Sequence, residues 1–394
     1  MRLHIVKSGD TFESIATAYL YQPAKASDIK RVNNTNVIYA GQVLKIPDLF
    51  EEPKINPEFE RAGLVINGTE INSTPSIVVT RAFDSIAGTF DFDLPTDDYF
   101  KDLSIPYSYQ DVDIYHKSDL ILTGQIYNVS KYLNKTASTV YSGFQKPGML
   151  SQVNMPDSMY PRTFYKTSLK TIAEKICDAF QIVIVIDDNA KSKANEKFDK
   201  TSPSPNEYLG GYLIDLAHQK GLILSSTPEG ALRISVDAIK SKDPILNLVN
   251  PEGDISFDGS KVYSDFTALR AGNTKRSPAQ AKAKLDIDIF RQKVIQQIDR
   301  FSDSISYFVK SEVIRAMLDS FTFSVKLPYV RTLNGDLIDI NSIITVESKD
   351  HSILQPTDFI VRKCTYNFKT TSDSCNIDLI PLDWYQGKFT KFWE

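Results

Sequence analysis

Three prolines within eleven residues, Pro47, Pro53 and Pro57, with Asp48, Glu51 and Glu52 among them, interrupt the chain near its start. Proline removes a backbone donor and fixes φ, so neither a helix interior nor a central strand can run through such a stretch. An extended linker is predicted over residues 49–58, and it divides the chain into a small module, residues 1–48, and a much larger remainder. With 394 residues in all, the remainder is long enough to bury a large core without disulfides or metals.

The small module reads as two strands around two short helices. Leu3 and Ile5 alternate ahead of a Ser8-Gly9-Asp10-Thr11 turn, and Phe12, Ile15, Ala16 and Tyr19 follow at helical spacing. Thr11 is placed to cap that helix. Ile29, Val32 and Asn33 mark a second helix, and Val43-Leu44-Lys45-Ile46 returns as a strand. These residues closely resemble a LysM domain: His4-Ile-Val-Lys-Ser-Gly-Asp-Thr-Phe12, Ser14-Ile-Ala16, Asn33-Asn34 and Ala40-Gly-Gln-Val-Leu-Lys-Ile-Pro47 stand where that family has them. The resemblance implies a groove between Gly9, Asp10, Thr11 and Phe12 on one side and Thr35, Asn36, Val37, Ile38 and Tyr39 on the other. That groove would serve either to bind N-acetylglucosamine-containing glycan or, with the module reused, to dock a protein.

The remainder calls for strands. It is rich in aromatics, with 22 Phe and 19 Tyr in the whole chain against 5 Met, a balance suited to pleated surfaces. Residues 86–94 alternate apolar and polar, with further strands expected at residues 77–79, 112–115 and 120–127. Asn67-Gly68 between Val65-Ile66 and Glu70-Ile71 is a type I′ hairpin signal. A first β-barrel-like domain is therefore expected over residues 59–155. Next, Ser168 opens a helix bearing Leu169, Ile172, Ala173, Ile176, Cys177 and Phe180, and a buried strand is expected at residues 182–186. A helix with Leu209, Tyr212, Leu213, Leu216 and Ala217 stops at Gly221, and a hairpin turns at Pro228-Glu229-Gly230. This defines an α+β insertion, residues 156–240. From Ile255 strands return, at residues 262–263, 266–271, 321–325, 343–346, 359–361 and 375–379, with a mobile basic loop at residues 275–283 and a helix at residues 311–317. They make a second barrel-like domain, residues 241–394. The expected class is α+β, mostly β, without short-period repeats.

Recognisable chemistry is sparse. His4, His116, His218 and His351 lack paired metal-ligand spacing, and Cys177, Cys364 and Cys375 form no motif, although the last two are candidates for cross-strand neighbours. Asp91, Asp93, Asp97 and Asp98 cluster, but Leu94-Pro95 breaks a calcium-loop spacing. Glu51 and Glu52 offer carboxylates without a spacing that specifies a glycosidase pair. No Gly-x-Ser-x-Gly or phosphate-loop pattern occurs. No catalytic, cofactor or metal site is expected. Asn-x-Ser/Thr triplets at Asn33, Asn67, Asn72, Asn128 and Asn134 read as turn and strand residues, and the lysine clusters at Lys191, Lys193, Lys197 and Lys200 and at Lys275, Arg276, Lys282 and Lys284 as solvated loops. Forty-five basic against 49 acidic residues leave a net charge of −4, which disfavours nucleic acid. No export signal and no membrane span are expected, and few dispersed cysteines suit a reducing cytoplasm.

The order of these parts is similar to the baseplate hub proteins of contractile-tailed phages, the Mu-like hub family in particular. Leu120-Ile-Leu-Thr-Gly-Gln-Ile126 with Tyr141-Ser-Gly143 carries the likeness, with Phe144 where the family has arginine. Leu216-Ala-His-Gln-Lys-Gly221 with Glu229-Gly-Ala-Leu-Arg-Ile234, Asn334-Gly-Asp-Leu-Ile-Asp-Ile-Asn341 and Phe359-Ile-Val-Arg-Lys-Cys-Thr-Tyr366 extend it over residues 60–385. The resemblance implies two like barrels per subunit and a homotrimer whose ring joins a hexameric tail tube or tube initiator to a trimeric central spike. Baseplate wedge or tape-measure proteins and peptidoglycan are further implied partners, and the virion, assembled in the host cytoplasm, is the implied location. A negative lumen is expected of such a trimer. The other class consistent with the sequence is a LysM-anchored peptidoglycan-binding adhesin or cell-wall hydrolase.

Overall fold

The computed structural model describes residues 2–7, 9–20, 26–33, 35, 37–40, 42–46, 59–71, 76–96, 105–132, 138–236, 243–270, 280–285, 287, 289–297, 305–369 and 371–393. They belong to two compact units, Met1–Glu58 and Phe59–Glu394. The whole of the expected linker, residues 49–58, with Glu51 and Glu52, lies outside the described residues, as do Asp97, Asp98, Asn36, Asn72, Asn134, Lys275 and Arg276.

The first unit is βααβ. Strand β1 (Arg2–Ile5) pairs antiparallel with β2 (Val43–Ile46), with His4 opposite Leu44, around α1 (Phe12–Leu20) and α2 (Ala26–Asn33). Its core is small: Val6, Phe12, Ile15, Ala16, Ala26, Ile29 and Leu44. Thr11 caps α1 reciprocally, its Oγ1 accepting from Ser14 N at 3.0 Å while Thr11 N donates to Ser14 Oγ at 2.9 Å. Thr11→Ala is expected to cost about 1 kcal/mol of helix stability, read as faster amide exchange at Ser14.

The second unit opens with β3 (Ala62–Ile66), β4 (Thr69–Glu70), β5 (Ile77–Ala82), β6 (Thr89–Pro95), β7 (Asp111–His116), β8 (Asp119–Tyr132) and β9 (Ser138–Phe144). Positive φ at Asn67 and Gly68, 49° and 78°, forms the β3–β4 hairpin. Strand β6 starts at Thr89 and not at Ile86, and from there Phe90, Phe92 and Leu94 point inward while Asp91 faces solvent.

Next comes β10 (Phe164–Ser168), α3 (Leu169–Ala179), β11 (Ile184–Ile186), α4 (Lys191–Ala194), β12 (Lys197–Thr201), α5 (Leu209–Gln219), β13 (Ile223–Ser226) and β14 (Leu232–Ser235). These form their own core, with Ile172, Ile176, Leu213, Leu216, Leu232 and Ile234 fully buried. Ser168 caps α3 through Thr171 N, and Gly221 ends α5 with φ 61°. The expected buried strand at residues 182–186 is instead a short edge strand, parallel to β14 alone, so Ile184 and Ile186 are only half-buried.

The chain then runs through β15 (Leu246–Val249), β16 (Gly253–Phe257), β17 (Asp265–Arg270), β18 (Gln280–Lys284), β19 (Gln292–Gln297), α6 (Ile305–Asp319), β20 (Phe321–Leu327), β21 (Ile343–Ser348), β22 (Ile353–Phe368), β23 (Asp373–Pro381) and α7 (Leu382–Tyr385). Residues 262–263, expected as a strand, follow a 3₁₀ turn that Asp258 caps, and Arg291 holds the carbonyls of Gly259, Ser260 and Val262. Residues 280–283, expected within a loop, are in β18, while residues 271–279 lie outside the described residues.

The fold is α+β and mostly β, but the two expected barrels do not form: no barrel closes among the described strands. One 13-stranded sheet carries both halves in the order β16-β20-β23-β22-β5-β6-β9-β8-β7-β3-β4, with β21 also beside β22 and β15 beside β21. The reason is β22, whose residues 363–368 pair β23 on one edge and β5 on the other. The edge of one half is thereby spent on the other half, and a single hydrophobic core serves both.

The halves repeat one arrangement. The order β5-β6-β9-β8-β7-β3 matches β16-β20-β23-β22-β21-β15, strand for strand. The bulges match as well: β8 slips against β9 between Ile126 and Asn128, and β22 slips against β23 between Val361 and Lys363. A second pair of slips follows Ile114 on β7 and Val346 on β21. The copies differ at one end, where β3 is antiparallel to β7 but β15 is parallel to β21.

Candidate functional site

In the first unit Val6, ahead of the Gly9–Phe12 turn, and Tyr39, at the end of residues 35–39, are tied together through Gln42. Val6 N donates to Gln42 O at 2.9 Å, Gln42 N to Tyr39 O at 3.0 Å, and Tyr39 N to Gln42 Oε1 at 3.1 Å. Gly9, at φ 94°, has open space where a side chain would stand. The Asp10 carboxylate accepts from Lys7 N and from His4 Nε2, each at 2.8 Å, and these bonds hold its pKa below the usual range. Thr35 Oγ1 donates to Val37 O at 2.7 Å and so braces the second loop.

These residues do not all present side chains. Phe12 is buried in the small core, with Lys30 Nζ 5.2 Å from its ring centre, and Ile38 packs on the same core. Val37 and Tyr39 stand out from the surface, Tyr39 with 70% of its area exposed. The face thus combines two apolar side chains with the polar Asp10 and Thr11, an arrangement that suits a ligand with both apolar and hydroxylated surfaces.

In the second unit polar contacts stitch the halves, Arg61 with Asp373 at 3.0 Å among them. Arg81 on β5 donates from Nη1 to both carboxylate oxygens of Asp339, at 2.8 and 2.9 Å, and Tyr366 and Ile340 N also donate to Asp339 Oδ1; all are buried. Arg362, the bulge residue of β22, reaches Asp84 at 2.7 Å and Asp319 at 3.2 Å. Arg331 donates to His116 Nδ1 at 3.0 Å and to Asp119 at 2.7 Å, while His116 Nε2 stands 3.5 Å from Asp373. The signal for the Arg81 contact was legible in retrospect: an arginine closes the apolar run Ile77-Val-Val-Thr-Arg81.

His116 is neutral by design of its surroundings. Burial, and then the Arg331 cation, push its pKa down, against the pull of Asp373. Below about pH 6.5 the unfolded chain takes up this proton before the folded chain does, so stability is full above that pH and falls on acidification. His218, half-buried and near Arg315, has the same sign, burial first and the Arg315 cation next. The unfolding free energy from urea titration is expected to drop between pH 7.5 and 5.5, by no more than about 1.4 kcal/mol per pH unit from each histidine. His116→Asn should flatten part of that decline; an unchanged slope would refute the assignment.

Among the described residues no group of three His, Cys, Asp or Glu side chains is placed to hold a metal. His4 is engaged by Asp10, and His351 by Ser348 and the Gly253 carbonyl. Cys177, Cys364 and Cys375 are free, buried thiols, that of Cys177 pushed up to about 12 by burial. Cys364 and Cys375 lie on neighbouring strands, but in diagonal register: Cys364 faces Ile377 and Cys375 faces Tyr366. No helix among the described residues is long and apolar enough to cross a membrane.

Residues 4–47 match the LysM domain. By sequence the chain matches no curated protein. By structure it is similar to the 43 kDa tail protein of prophage MuSo2 from Shewanella oneidensis, at 19% identity and TM-score 0.70 over 83% of this chain and 100% of that one. It is similar too to the tail protein from Neisseria meningitidis MC58, at 17% identity and TM-score 0.69 over 83% and 98%. The prophage tail protein gp18 from Listeria monocytogenes EGD-e aligns at 10% identity and TM-score 0.54 over 81% and 94%. The chain therefore carries an N-terminal LysM domain, and its larger unit shares the fold of phage tail proteins.

Proposed function

We propose that this chain is a non-enzymatic structural hub of a phage tail baseplate or a related injection system, a homotrimer joining a hexameric tail tube to a trimeric spike in the virion. The observation that carries this is the repeated six-strand arrangement within one chain. Three copies of a chain built from two like halves present six like faces to a six-fold partner and three to a three-fold one, and closed rotational symmetry is the common outcome for such assemblies. The shared fold with tail proteins supports it. In this reading residues 59–155 and 241–394 build the ring and residues 156–240 project from it. Light scattering on the purified chain should give three times 44.4 kDa. A monomer at every concentration would count against a self-assembling ring.

The LysM face supports a second role: Gly9, Asp10, Thr11 and Phe12 with Thr35, Asn36, Val37, Ile38 and Tyr39 would hold peptidoglycan glycan or a neighbouring baseplate or tape-measure protein. Tyr39, exposed and flat, is suited to stack on a sugar ring. Tyr39→Ala is expected to weaken retention on purified peptidoglycan about tenfold, equivalent to ~1.4 kcal/mol. Retention that does not change would favour the protein partner, and clearing of a peptidoglycan gel would restore the hydrolase alternative.

A further inference from the structure

The match between the halves leaves one strand edge in each without its counterpart. In the second half, residues 363–368 of β22 are covered by β5 of the first half. The corresponding stretch of β8, residues 128–132 of the described chain, pairs β9 on one edge, and no described strand lies on the other. Strand β7 stops short of it: Ile126 N donates to Gln110 O, and then φ of 46° at Tyr109 and 62° at Tyr107 turns the chain out of strand conformation. Conversely β5 pairs on both edges, whereas its counterpart β16 pairs only β20 and ends the sheet. Both orphan edges carry exposed apolar side chains, Tyr132 at 52% and Phe257 at 49%. An uncovered edge of this kind is a template for another strand.

The bulges set the register. Gly143 faces Ile126 as Leu379 faces Val361, and counting outward Phe90 matches Phe323, Ser130 matches Thr365 and Thr80 matches Ser256. Within the chain Thr80 faces Thr365, their hydroxyls 3.3 Å apart. We propose that β16 of one chain pairs antiparallel with the open edge of β8 in a second copy, Ser256 opposite Ser130, repeating between chains the contact that β5 makes with β22 within one. In the same register Tyr132 faces Asp254, Val129 faces Phe257 and Lys131 faces Ile255. The contact is head-to-tail, so it generates a ring where the rotation between copies closes. Its closure at three copies rests on the hub reading; the pairing of edges does not.

The test is a disulfide across the predicted pair. Cross-strand Cα separations of about 4.5–5.5 Å fall in the range a disulfide spans, and the three native thiols are buried. Full-length chains carrying Ser130→Cys alone and Ser256→Cys alone, mixed and mildly oxidised, are expected to give a covalent dimer. Either variant by itself gives none, and the double variant gives a ladder ending at the trimer. A trimer by light scattering with no cross-link in the mixture would overturn the edge pairing and leave the hub standing. A monomer with no cross-link would overturn both.

Discussion

Replacing Asp339 with alanine is expected to remove about 3–5 kcal/mol of stability, a large share of what a folded chain holds in reserve. Arg81 and Asp339 are 4% and 5% exposed, and the carboxylate receives Arg81 at 2.8 and 2.9 Å together with Ile340 N and the Tyr366 hydroxyl. Burial alone disfavours the Arg81 cation; the facing carboxylate more than offsets it and holds its pKa above the usual value. Truncating Asp339 strands a guanidinium where water does not reach, along with a tyrosine hydroxyl that keeps only the Ile338 carbonyl, 2.9 Å away. Arg81 sits on β5 and Asp339 in the turn before β21, so the loss falls on the seam between halves. Urea unfolding should show both a lower midpoint and, if the halves part separately, a broader transition. Changing both residues to apolar ones of similar size should restore most of the loss, since the pair is costly to break but not to replace. A midpoint within 1 kcal/mol of the parent in Asp339→Ala would show that the seam does not depend on this pair.

What the residues disclosed in advance was local. The Thr11 cap, the Asn67-Gly68 hairpin, the Ser168 cap and the Gly221 stop each rest on a handful of neighbouring side chains, and each is found where its chemistry places it. The likeness of the halves was not legible. Burial is shared more widely than residue type: Phe90 and Phe323 are both phenylalanine, but Ile114 matches Val346 and Tyr141 matches Ile377. Apolar alternation survives where identity is lost, because a pleated face selects for volume and not for a particular side chain. Nor was the joining of the halves into one sheet legible, since the partner of β5 lies some 285 residues along the chain at Thr365. The LysM face was implied by a family resemblance, and the structure adds that Tyr39 is exposed while Phe12 is buried.

Phe359→Ala is expected to cost about 3–5 kcal/mol, and the repeat explains why. Phe359 is fully buried at the point where β22 passes from β21 to β23, facing Ile344 on one side and Pro381 on the other. Its ring meets Phe321, Phe323 and Phe392 with centroids 6.3, 5.6 and 5.7 Å away. The matching position in the first half is Gly124, and there the space is filled from two strands away, by Phe90 of β6 reaching across β9: a Cβ on Gly124 would come within 2.8 Å of the Phe90 ring. Each half thus places one ring at this site from a different residue. In the second half Phe323, the match of Phe90, is held edge-on by Phe359 at 65° and also meets His351 at 5.3 Å, so it is not free to swing over the gap. The alanine variant therefore keeps a ring-sized cavity, whereas Phe359→Leu should lose about half as much. Denaturant titration of the two variants checks both numbers. A loss below 1 kcal/mol for Phe359→Ala would mean that the aromatic cluster closes over the site as Phe90 does over Gly124, and that the two halves are interchangeable in packing as well as in strand order.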